Sequence, residues 1–325
     1  MQKSYQLERA VIEIAGGCNY SCGMCPQSTG RGKDFTKLMP LDLFEDILDQ
    51  ITPRYGHPVI NMEGSGEPTL VKNLAQYVEA CTRRGCPSFI YTNGSFLTGD
   101  YMRDAIDAGL SFVRFSCIGY TPELYHQWMS QDRFYEIRDN ACETQAYIQS
   151  SNSNCVVSSY HLILDNNQIE YEVAQYQKNF IEPVGSVGYI WKMHNWSGNY
   201  QPLYIRDPEN KRTCGRPFAP EITIRAGGLD GHQGAVTPCC QTMGPPNEAL
   251  SVLGHMDTHS FEDVFWGDAY EDLRQAHRDG EFDRIEYCKN CDFLYEDPEV
   301  LVWSNDPEAR VDHMLGTGFE LSDYK

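Results

Sequence analysis

The 325-residue sequence lacks a secretory signal, because its first residues, MQKSYQLERAVIEIAGGC, contain no basic segment followed by an apolar one. It also lacks a run of about 18 apolar residues, the minimum for a membrane span. Positive charge is scarce, since 26 Lys and Arg stand against 46 Asp and Glu, a formal net charge of −20. These absences argue against a membrane protein and a globally basic nucleic-acid-binding protein. We expect a cytoplasmic protein with no membrane or nucleic-acid partner.

Cysteine, in contrast, is abundant, with 13 residues. A chain of this length buries a sizeable core without disulfide bonds, and a reducing compartment keeps its thiols free. An odd number also fits poorly with a complete set of disulfides. The cysteines are therefore expected to bind metal or to pack as small apolar residues.

Residues 7 to about 205 alternate between short strands and helices. The predicted strands cover residues 10–15, 59–62, 88–92, 111–118, 155–164 and 186–193. The predicted helices cover residues 41–51, 70–83, 101–108, 122–130, 135–148 and 168–180. Six such units predict an α/β fold, a partial (β/α)6 TIM-like barrel over residues 1–205, with its ligands at the carboxyl ends of the strands.

The sequence becomes rich in Pro, Gly and Cys after about residue 206. Little regular structure is predicted there beyond a helix over residues 261–278. We expect residues 206–300 to form a small second domain held by metal rather than by a large core. Residues 301–325 are expected to form an acidic tail.

A first cysteine motif, CxxxCxxC, follows the first predicted strand and contains Cys18, Cys22 and Cys25. Three thiolates on one loop can hold three irons of a [4Fe–4S] cluster and leave the fourth iron open to a ligand. A zinc site is the alternative. Zinc would need a fourth ligand nearby, and the first histidine after the motif is His57.

Short polar motifs follow the next three predicted strands: GSGEP at residues 64–68, TNG at 92–94 and RFS at 114–116. Glycine lets the backbone approach a ligand closely, and Glu67 offers a carboxylate to a cationic amino group. Each motif alone is typical of an ordinary turn. Together, one at each successive strand end, they predict one pocket that faces the cysteine loop.

With these motifs the sequence resembles the radical S-adenosylmethionine (SAM) enzymes, whose signature is matched by the CxxxCxxC motif with Met24 at its apolar position. The resemblance implies a [4Fe–4S] cluster whose open iron binds SAM, reductive cleavage of SAM, and hydrogen abstraction from an unactivated C–H bond. Ser65 replaces the first glycine of the family's GGEP motif. The cofactor-binding residues that the resemblance implies are Met24, Gly64, Ser65, Gly66, Glu67, Asn93 and Ser116.

A second cysteine group lies in the predicted second domain and contains Cys214, Cys239, Cys240, Cys288 and Cys291. By spacing alone, a zinc site with four cysteine ligands and an iron–sulfur cluster are equally compatible. The region also resembles SPASM domains and their shortened form, twitch domains. The resemblance implies one auxiliary [4Fe–4S] cluster held by Cys214, Cys239, Cys288 and Cys291, because Gly234 to Cys239 matches the family's Gly-x4-Cys element.

Six cysteines then have no ligand role. Cys81, Cys86, Cys142 and Cys155 are expected to pack in the core. Cys117, next to the strand-end Ser116, and Cys240 are candidate hydrogen-atom donors to a substrate radical. Other candidates for the pocket are Tyr20, Tyr91, Lys192, His194, Asn195 and Trp196. His161, on an apolar strand, is expected to be a core histidine.

The resemblance implies an oxidoreductase that needs an external one-electron reductant of the flavodoxin or ferredoxin type. The first hypothesis is a maturase that modifies a ribosomally made precursor peptide. We expect no extra domain before the first strand, so a peptide substrate would require a separate leader-peptide recognition protein or the C-terminal tail. The alternative is a dehydrogenase or epimerase of an aminocyclitol or amino sugar. A non-catalytic iron–sulfur or zinc protein is the hypothesis from a different class.

Overall fold

The computed structural model describes residues 6–30, 37–199, 211–244, 247–294 and 301–309. These residues contain ten strands: β1 (Arg9–Ile12), β2 (Val59–Asn61), β3 (Ser88–Thr92), β4 (Phe112–Ser116), β5 (Val156–Leu162), β6 (Val187–Trp191), β7 (Glu221–Ile224), β8 (Ala235–Thr237), β9 (Gly254–His255) and β10 (Leu301–Ser304). All ten belong to one sheet, in the order β10-β6-β5-β4-β3-β2-β1-β7-β8-β9.

The helices of the described ranges are α1 (Pro26–Gly30), α2 (Leu41–Tyr55), α3 (Leu74–Arg83), α4 (Gly99–Asp107), α5 (Pro122–Met129), α6 (Phe134–Ser151), α7 (Ile169–Tyr176), α8 (Glu182–Val184), α9 (Asn247–Leu250), α10 (Phe261–Phe265) and α11 (Asp268–Asp279). A π-helical turn, Gln177–Ile181, joins α7 to α8. No helix in this part of the chain is long and apolar enough to cross a membrane.

Strands β1 to β6 pair in parallel and in chain order, with helices in the connections. This arrangement confirms the predicted α/β class and the partial barrel. Because side chains alternate between the two faces of a strand, every second residue of β1 to β6 faces the barrel lumen. Tyr91, Arg114 and Ser158 share one level of neighbouring strands, since Tyr91 pairs with Arg114 and Arg114 with Ser158.

The second domain has more regular structure than its composition predicts. β7 pairs in parallel with β1, and β8 and β9 continue the sheet as antiparallel strands. The reason is that β1 is the first strand of an open barrel, so its outer edge needs a hydrogen-bonding partner. Ile222 and Ile224 of β7 are buried against it. The expectation of little regular structure was wrong here.

The predicted tail also contributes to the sheet, because β10 pairs antiparallel with β6. The rest of that segment, residues 310–325, lies outside the described residues. The predicted domain boundary at residues 205/206 also lies outside the described residues, whereas the one at 300/301 lies directly before β10. Both boundaries stay predictions.

Three predicted helices differ in detail from those observed. The helix expected over residues 168–180 ends as an α-helix at Tyr176 and continues as the π-helical turn. The helix expected over residues 261–278 is split into α10 and α11, because the chain turns at Trp266 and Gly267. Ser260 caps the N-terminus of α10, and its hydroxyl accepts from the Asp263 N–H in a capping box. The helix expected over residues 70–83 starts at Leu74, after a separate 3-10 turn.

Candidate active site

A cavity of about 740 Å³ occupies the barrel lumen and reaches the second domain. It is lined by ten of the sequence-predicted site residues: Cys18, Cys22, Cys25, Gly64, Ser65, Gly66, Glu67, Asn93, Ser116 and Cys240. The pocket expected from the strand-end motifs is therefore present. Six predicted site residues are not in its lining: the four proposed auxiliary-cluster ligands Cys214, Cys239, Cys288 and Cys291, and also Met24 and Cys117. Met24 is buried in the core and Cys117 is fully buried beyond the end of β4.

The cysteine loop that follows β1 places its three thiols on the cavity wall. The Cys18 sulfur accepts from the Tyr20 backbone N–H at 3.4 Å and faces Asn93 Nδ2 at 3.9 Å. Burial, with a smaller contribution from the Glu67 carboxylate, raises the pKa of Cys18 to about 12. A buried thiolate needs a positive partner, which the irons of a cluster provide. The residues present thus fit a [4Fe–4S] cluster with one open iron.

The GSGEP loop packs directly on the cysteine loop. A Cβ atom at Gly66 would lie 2.0 Å from the carbonyl oxygen of Ala15 and 2.4 Å from that of Gly17. The Glu67 backbone N–H also donates to the Gly17 carbonyl at 2.8 Å. The approach of the two loops therefore requires glycine at position 66.

The carboxylate of Glu67 is buried at the carboxyl end of β3. Its Oε1 accepts from the Thr69 N–H at 3.1 Å, the Thr69 hydroxyl at 2.5 Å and the Thr92 hydroxyl at 2.6 Å. Its Oε2 accepts from the Asn93 N–H at 2.7 Å. Burial raises the pKa of Glu67, and these donors oppose the rise. The carboxylate is held in one orientation, with Oε2 less occupied than Oε1, which supports the predicted contact with a cationic amino group.

A buried ion pair behind the GSGEP loop explains the serine of this motif. Glu13 Oε2 accepts from the backbone N–H and the hydroxyl of Ser65, at 2.5 and 2.7 Å, and lies 3.4 Å from Arg225 Nη1. A Cβ atom at Gly64 would lie 2.1 Å from the same oxygen. Sequence reasoning missed this pair. Its signal was a glutamate inside the apolar segment AVIEIA, since a buried carboxylate requires a partner.

The second set of predicted ligands lies behind the cavity wall, and consists of Cys214, Cys239, Cys288 and Cys291. Burial raises the pKa of each thiol, and other thiolates of the set add to this rise at Cys239, Cys288 and Cys291. Cys240 lines the cavity instead, with its sulfur 3.7 Å from Arg216 Nη1. This placement supports Cys239, and not Cys240, as the fourth ligand.

Neither set has the geometry of a mononuclear site. Among the residues that the structure describes, no group of three or more His, Cys, Asp or Glu side chains could hold a single metal ion. Sulfurs that bind different irons of one cluster lie further apart than sulfurs around one zinc ion. Both sets provide the cysteine ligands that [4Fe–4S] clusters use.

The HNWSG segment after β6 joins the barrel to the second domain. Asn195 donates from its backbone to Asp292 Oδ2 at 2.9 Å and from its side chain to the Asn290 carbonyl at 2.6 Å. These contacts hold the loop that contains Cys288 and Cys291. His194 and Trp196 line the cavity, with their ring centroids 4.0 Å apart. The segment therefore anchors the second cysteine set and also forms part of the cavity wall.

The remaining candidates separate into cavity and core. Tyr20 and Tyr91 line the cavity, whereas the half-buried Lys192 is not part of the described lining. His161 is fully buried and pairs with Glu172 at 3.4 Å, as expected for a core histidine.

The other cysteines divide in the same way. The Cys117 thiol donates to the Gly119 carbonyl at 3.5 Å, away from the cavity. Cys81, Cys86 and Cys155 are buried and Cys142 is half-buried. Geometry thus favours Cys240 over Cys117 as the thiol that can reach a substrate.

A polar layer in the lumen was also missed by sequence reasoning. Arg114 is 8% exposed, and its Nη1 donates to the Tyr91 hydroxyl at 2.5 Å while its Nε donates to the Ser158 hydroxyl at 3.0 Å. Glu63 lines the same cavity, where burial raises its pKa to about 7. The only sequence signal for Arg114 was a charged residue at an inward position of the apolar strand SFVRFS.

Two protein families match this chain. The family described as the Radical SAM superfamily matches residues 12–172, which include the cysteine loop and the strand-end motifs. The SPASM family, described as an iron–sulfur cluster-binding domain, matches residues 231–292, which include all of the second cysteine set except Cys214.

Relatives of known identity span most of the chain. The S-adenosyl-L-methionine-dependent 2-deoxy-scyllo-inosamine dehydrogenase of Niallia circulans is 22% identical over 286 residues, 86% of this chain and 90% of that protein. The structure of BtrN in complex with AdoMet and 2-DOIA matches with a TM-score of 0.59 at 19% identity, over 90% of this chain and 94% of BtrN. The structure of Streptococcus suis SuiB bound to precursor peptide SuiA matches with a TM-score of 0.61 at 14% identity. The match covers 84% of this chain and 67% of SuiB. At these identities the structural likeness shows the fold.

Proposed function

Because the chain belongs to the radical SAM superfamily and carries a SPASM iron–sulfur domain, we propose that it is an oxidoreductase that dehydrogenates a small polar amine, of the aminocyclitol or amino-sugar class. The observation that carries this proposal is the lumen cavity. Its volume of about 740 Å³, which includes the proposed site of the first cluster and SAM, lies in the range of about 300–1,000 Å³ that is typical of small-molecule and cofactor sites, so the space beyond SAM suits a small substrate.

The walls of the cavity support a small substrate. On one side they include Leu301 and Asp306 of the segment that pairs with β6. On the other side they include Arg216 and Glu221, at the start of the second domain. Both flanks of the open barrel are therefore covered by chain. The Niallia circulans relative, named for the dehydrogenation of an aminocyclitol, supports the same substrate class.

In this proposal Cys18, Cys22 and Cys25 hold the first cluster, and the second cysteine set holds the auxiliary cluster. The residues that contact SAM are Gly64, Ser65, Gly66, Glu67, Asn93 and Ser116, which line the cavity. Met24, whose side chain is buried in the core, contacts SAM through its backbone. When bound, the clusters and SAM supply one-electron transfer and a radical that abstracts hydrogen. Glu67 binds the amino group of SAM, and the buried lumen excludes water from the reacting groups. Cys239 is adjacent to the cavity-lining Cys240, so the auxiliary site lies directly behind the substrate.

The test is anaerobic reconstitution followed by reduction in the presence of SAM. We expect about eight irons per chain and formation of 5′-deoxyadenosine. Incubation with a panel of aminocyclitols and amino sugars should give a product lighter by two hydrogens, detected by mass spectrometry. Zinc in the second site together with no cleavage of SAM would contradict the proposal.

Peptide maturation is the second candidate. β10 is an edge strand of the described sheet, and Leu301 at its start lines the cavity, so an extended peptide can add to this edge. A peptide substrate would bring a separate leader-peptide recognition protein as partner. An external one-electron reductant is required in either case. Conversion of a precursor peptide, with every small amine left unchanged, would favour this candidate.

An epimerase is the remaining variant of the small-molecule proposal, and it would need a hydrogen-atom donor. Cys240 is the candidate, because its thiol lines the cavity while Cys117 does not. Reaction in D2O should then place deuterium in the product, and Cys240→Ala should abolish formation of the epimer, because the substrate radical then receives no hydrogen atom. Unchanged formation of the epimer by Cys240→Ala would exclude the donor role.

A further inference from the structure

The lumen contains two polar levels, of which the proposed cofactor site uses one. Asn93 and Ser116 lie at the carboxyl ends of β3 and β4, beside the cysteine loop. Tyr91 and Arg114 pair with each other two residues earlier on the same strands. Two residues of a strand span about 6.6 Å, so this second level lies deeper in the barrel, further from the cysteine loop.

Arg114 is the charged residue at the centre of the deeper level. Its described hydrogen-bond partners are two neutral hydroxyls, and its guanidinium carbon lies 3.9 Å from the ring centroid of Tyr189. Asp306 is bonded to the Tyr189 hydroxyl at 2.5 Å and influences Arg114 only electrostatically. In the described part of the chain, no carboxylate is paired with this buried guanidinium. A buried cation without an ionic partner is costly, which points to an anionic ligand.

Glu63 provides the opposite charge at the same level. It lies two residues beyond Asn61, which pairs with Phe89, so it reaches the level of Tyr91. Its carboxylate lines the cavity and accepts from Asn61 Nδ2 at 3.0 Å. β2 and β4 are separated by β3, so Glu63 and Arg114 start about 10 Å apart at the backbone. The space between them suits a ligand that carries both charges.

We propose that Arg114 binds a substrate oxyanion, a carboxylate or a phosphate, while Glu63 binds an ammonium group of the same molecule. The inference rests on the proposed function and narrows its substrate class to small amines that also carry a negative group. Arginine suits this role because its planar guanidinium bonds an oxyanion through two N–H groups. Tyr91, Ser158 and Tyr189 orient it.

The experiment measures binding without turnover, so failure of dehydrogenation would not affect it. Holoenzyme saturated with SAM is titrated calorimetrically at constant ionic strength with inorganic phosphate, acetate, glucosamine 6-phosphate and β-alanine. We expect at least one of the two zwitterions to bind about tenfold more tightly than its simple anion. Tighter binding of glucosamine 6-phosphate would identify a phosphate ligand, and tighter binding of β-alanine a carboxylate.

Substitutions at Arg114 and Glu63 test the two proposed ligand contacts one at a time. Arg114→Gln should weaken binding of every anionic probe at least about tenfold, and Glu63→Gln should weaken only the zwitterions. Arg114→Lys keeps the charge, and provides a folded variant if Arg114→Gln is unstable. Arg103→Gln is the matched control, because Arg103 is exposed and pairs with Asp100 on the surface.

Two results would overturn the assignment. One is equal probe affinity in the wild type and Arg114→Gln, or no anion binding by the wild type. The other is a loss of SAM affinity of more than tenfold in Arg114→Gln, which would place this guanidinium in the cofactor site instead.

Discussion

The two cysteine sets differ in how the chain supplies them and in what they face. The first lies within residues 18–25 of one loop, and all three thiols line the cavity. The second is drawn from separate segments between Cys214 and Cys291 and lies behind the cavity wall. In metal sites generally, a complete set of protein ligands is typical of a structural site, whereas a missing protein ligand leaves a coordination position open for a substrate or cofactor. The first set is thus suited to a cofactor, and the second to holding its domain and backing the substrate.

The first way to test this difference is to remove the cavity-facing set. Replacing Cys18, Cys22 and Cys25 together with Ala should reduce SAM cleavage to background, because no open iron remains to bind the cofactor. Iron should fall from about eight to about four per chain, since the second set is formed by other segments. The measurements are iron content and 5′-deoxyadenosine. Cys142→Ala, at a half-buried cysteine outside both sets, should change neither.

A smaller loss of SAM cleavage is expected when the cysteine loop is displaced but Cys18, Cys22 and Cys25 are kept. Gly66→Ala places a Cβ atom 2.0 Å from the Ala15 carbonyl oxygen and must push the GSGEP and cysteine loops apart. SAM cleavage should fall about 100-fold, because a misplacement of about 1 Å has that effect on a reaction. Gly23→Ala, in the cysteine loop itself, meets its nearest atom at 3.9 Å and should be nearly neutral. Equal rates for the two variants would show that the close approach does not matter.

The same contrast explains how much could be predicted from the sequence. The cysteine loop and the GSGEP motif are local, so their spacing and position after a strand were enough to predict one pocket. The barrel strands were equally local, as apolar runs between glycines and prolines. The pairing of β7 with β1 and the Glu13–Arg225 ion pair join residues about 200 apart. The hydrophobic periodicity of one segment does not identify its distant partner. The partner of β1 is determined by the free edge of an open barrel, which is a property of the whole fold.

The second set provides the next test. Cys239→Ala should lose about four irons and destabilise the second domain, because a bound cluster contributes to its folding. Cleavage of SAM at the first site should change only a few-fold. Cys240→Ala should keep all the iron, because that thiol faces Arg216 and the cavity. Iron content and melting temperature distinguish the adjacent cysteines, and loss of the auxiliary cluster from Cys240→Ala would show that the ligand assignment is wrong.

The smallest predicted effect is on the stability of the protein, and it concerns Glu63 in the lumen between the two cysteine sets. Burial raises the pKa of Glu63 from 4.5 to about 7, so the folded state holds this proton more tightly than the unfolded state. Between about pH 4.5 and 7 the unfolded state loses the proton first, and stability therefore falls as pH rises until the folded carboxyl has also ionised. Above about pH 7 the carboxyl is ionised in both states, and the loss of stability caused by its burial has reached its full value.

Glu63→Gln removes this penalty, because the amide keeps the hydrogen-bonding shape of the protonated acid and carries no charge. Since the side chain is half-buried, we expect a gain of about 1–2 kcal/mol above pH 7, or about 2–4 °C in melting temperature, and almost no gain at pH 4.5. Melting curves without substrate across this range measure it. Glu79→Gln, at an exposed position on α3, is the control. A gain for Glu63→Gln that does not grow with pH would mean that this carboxyl is ionised in the folded lumen throughout.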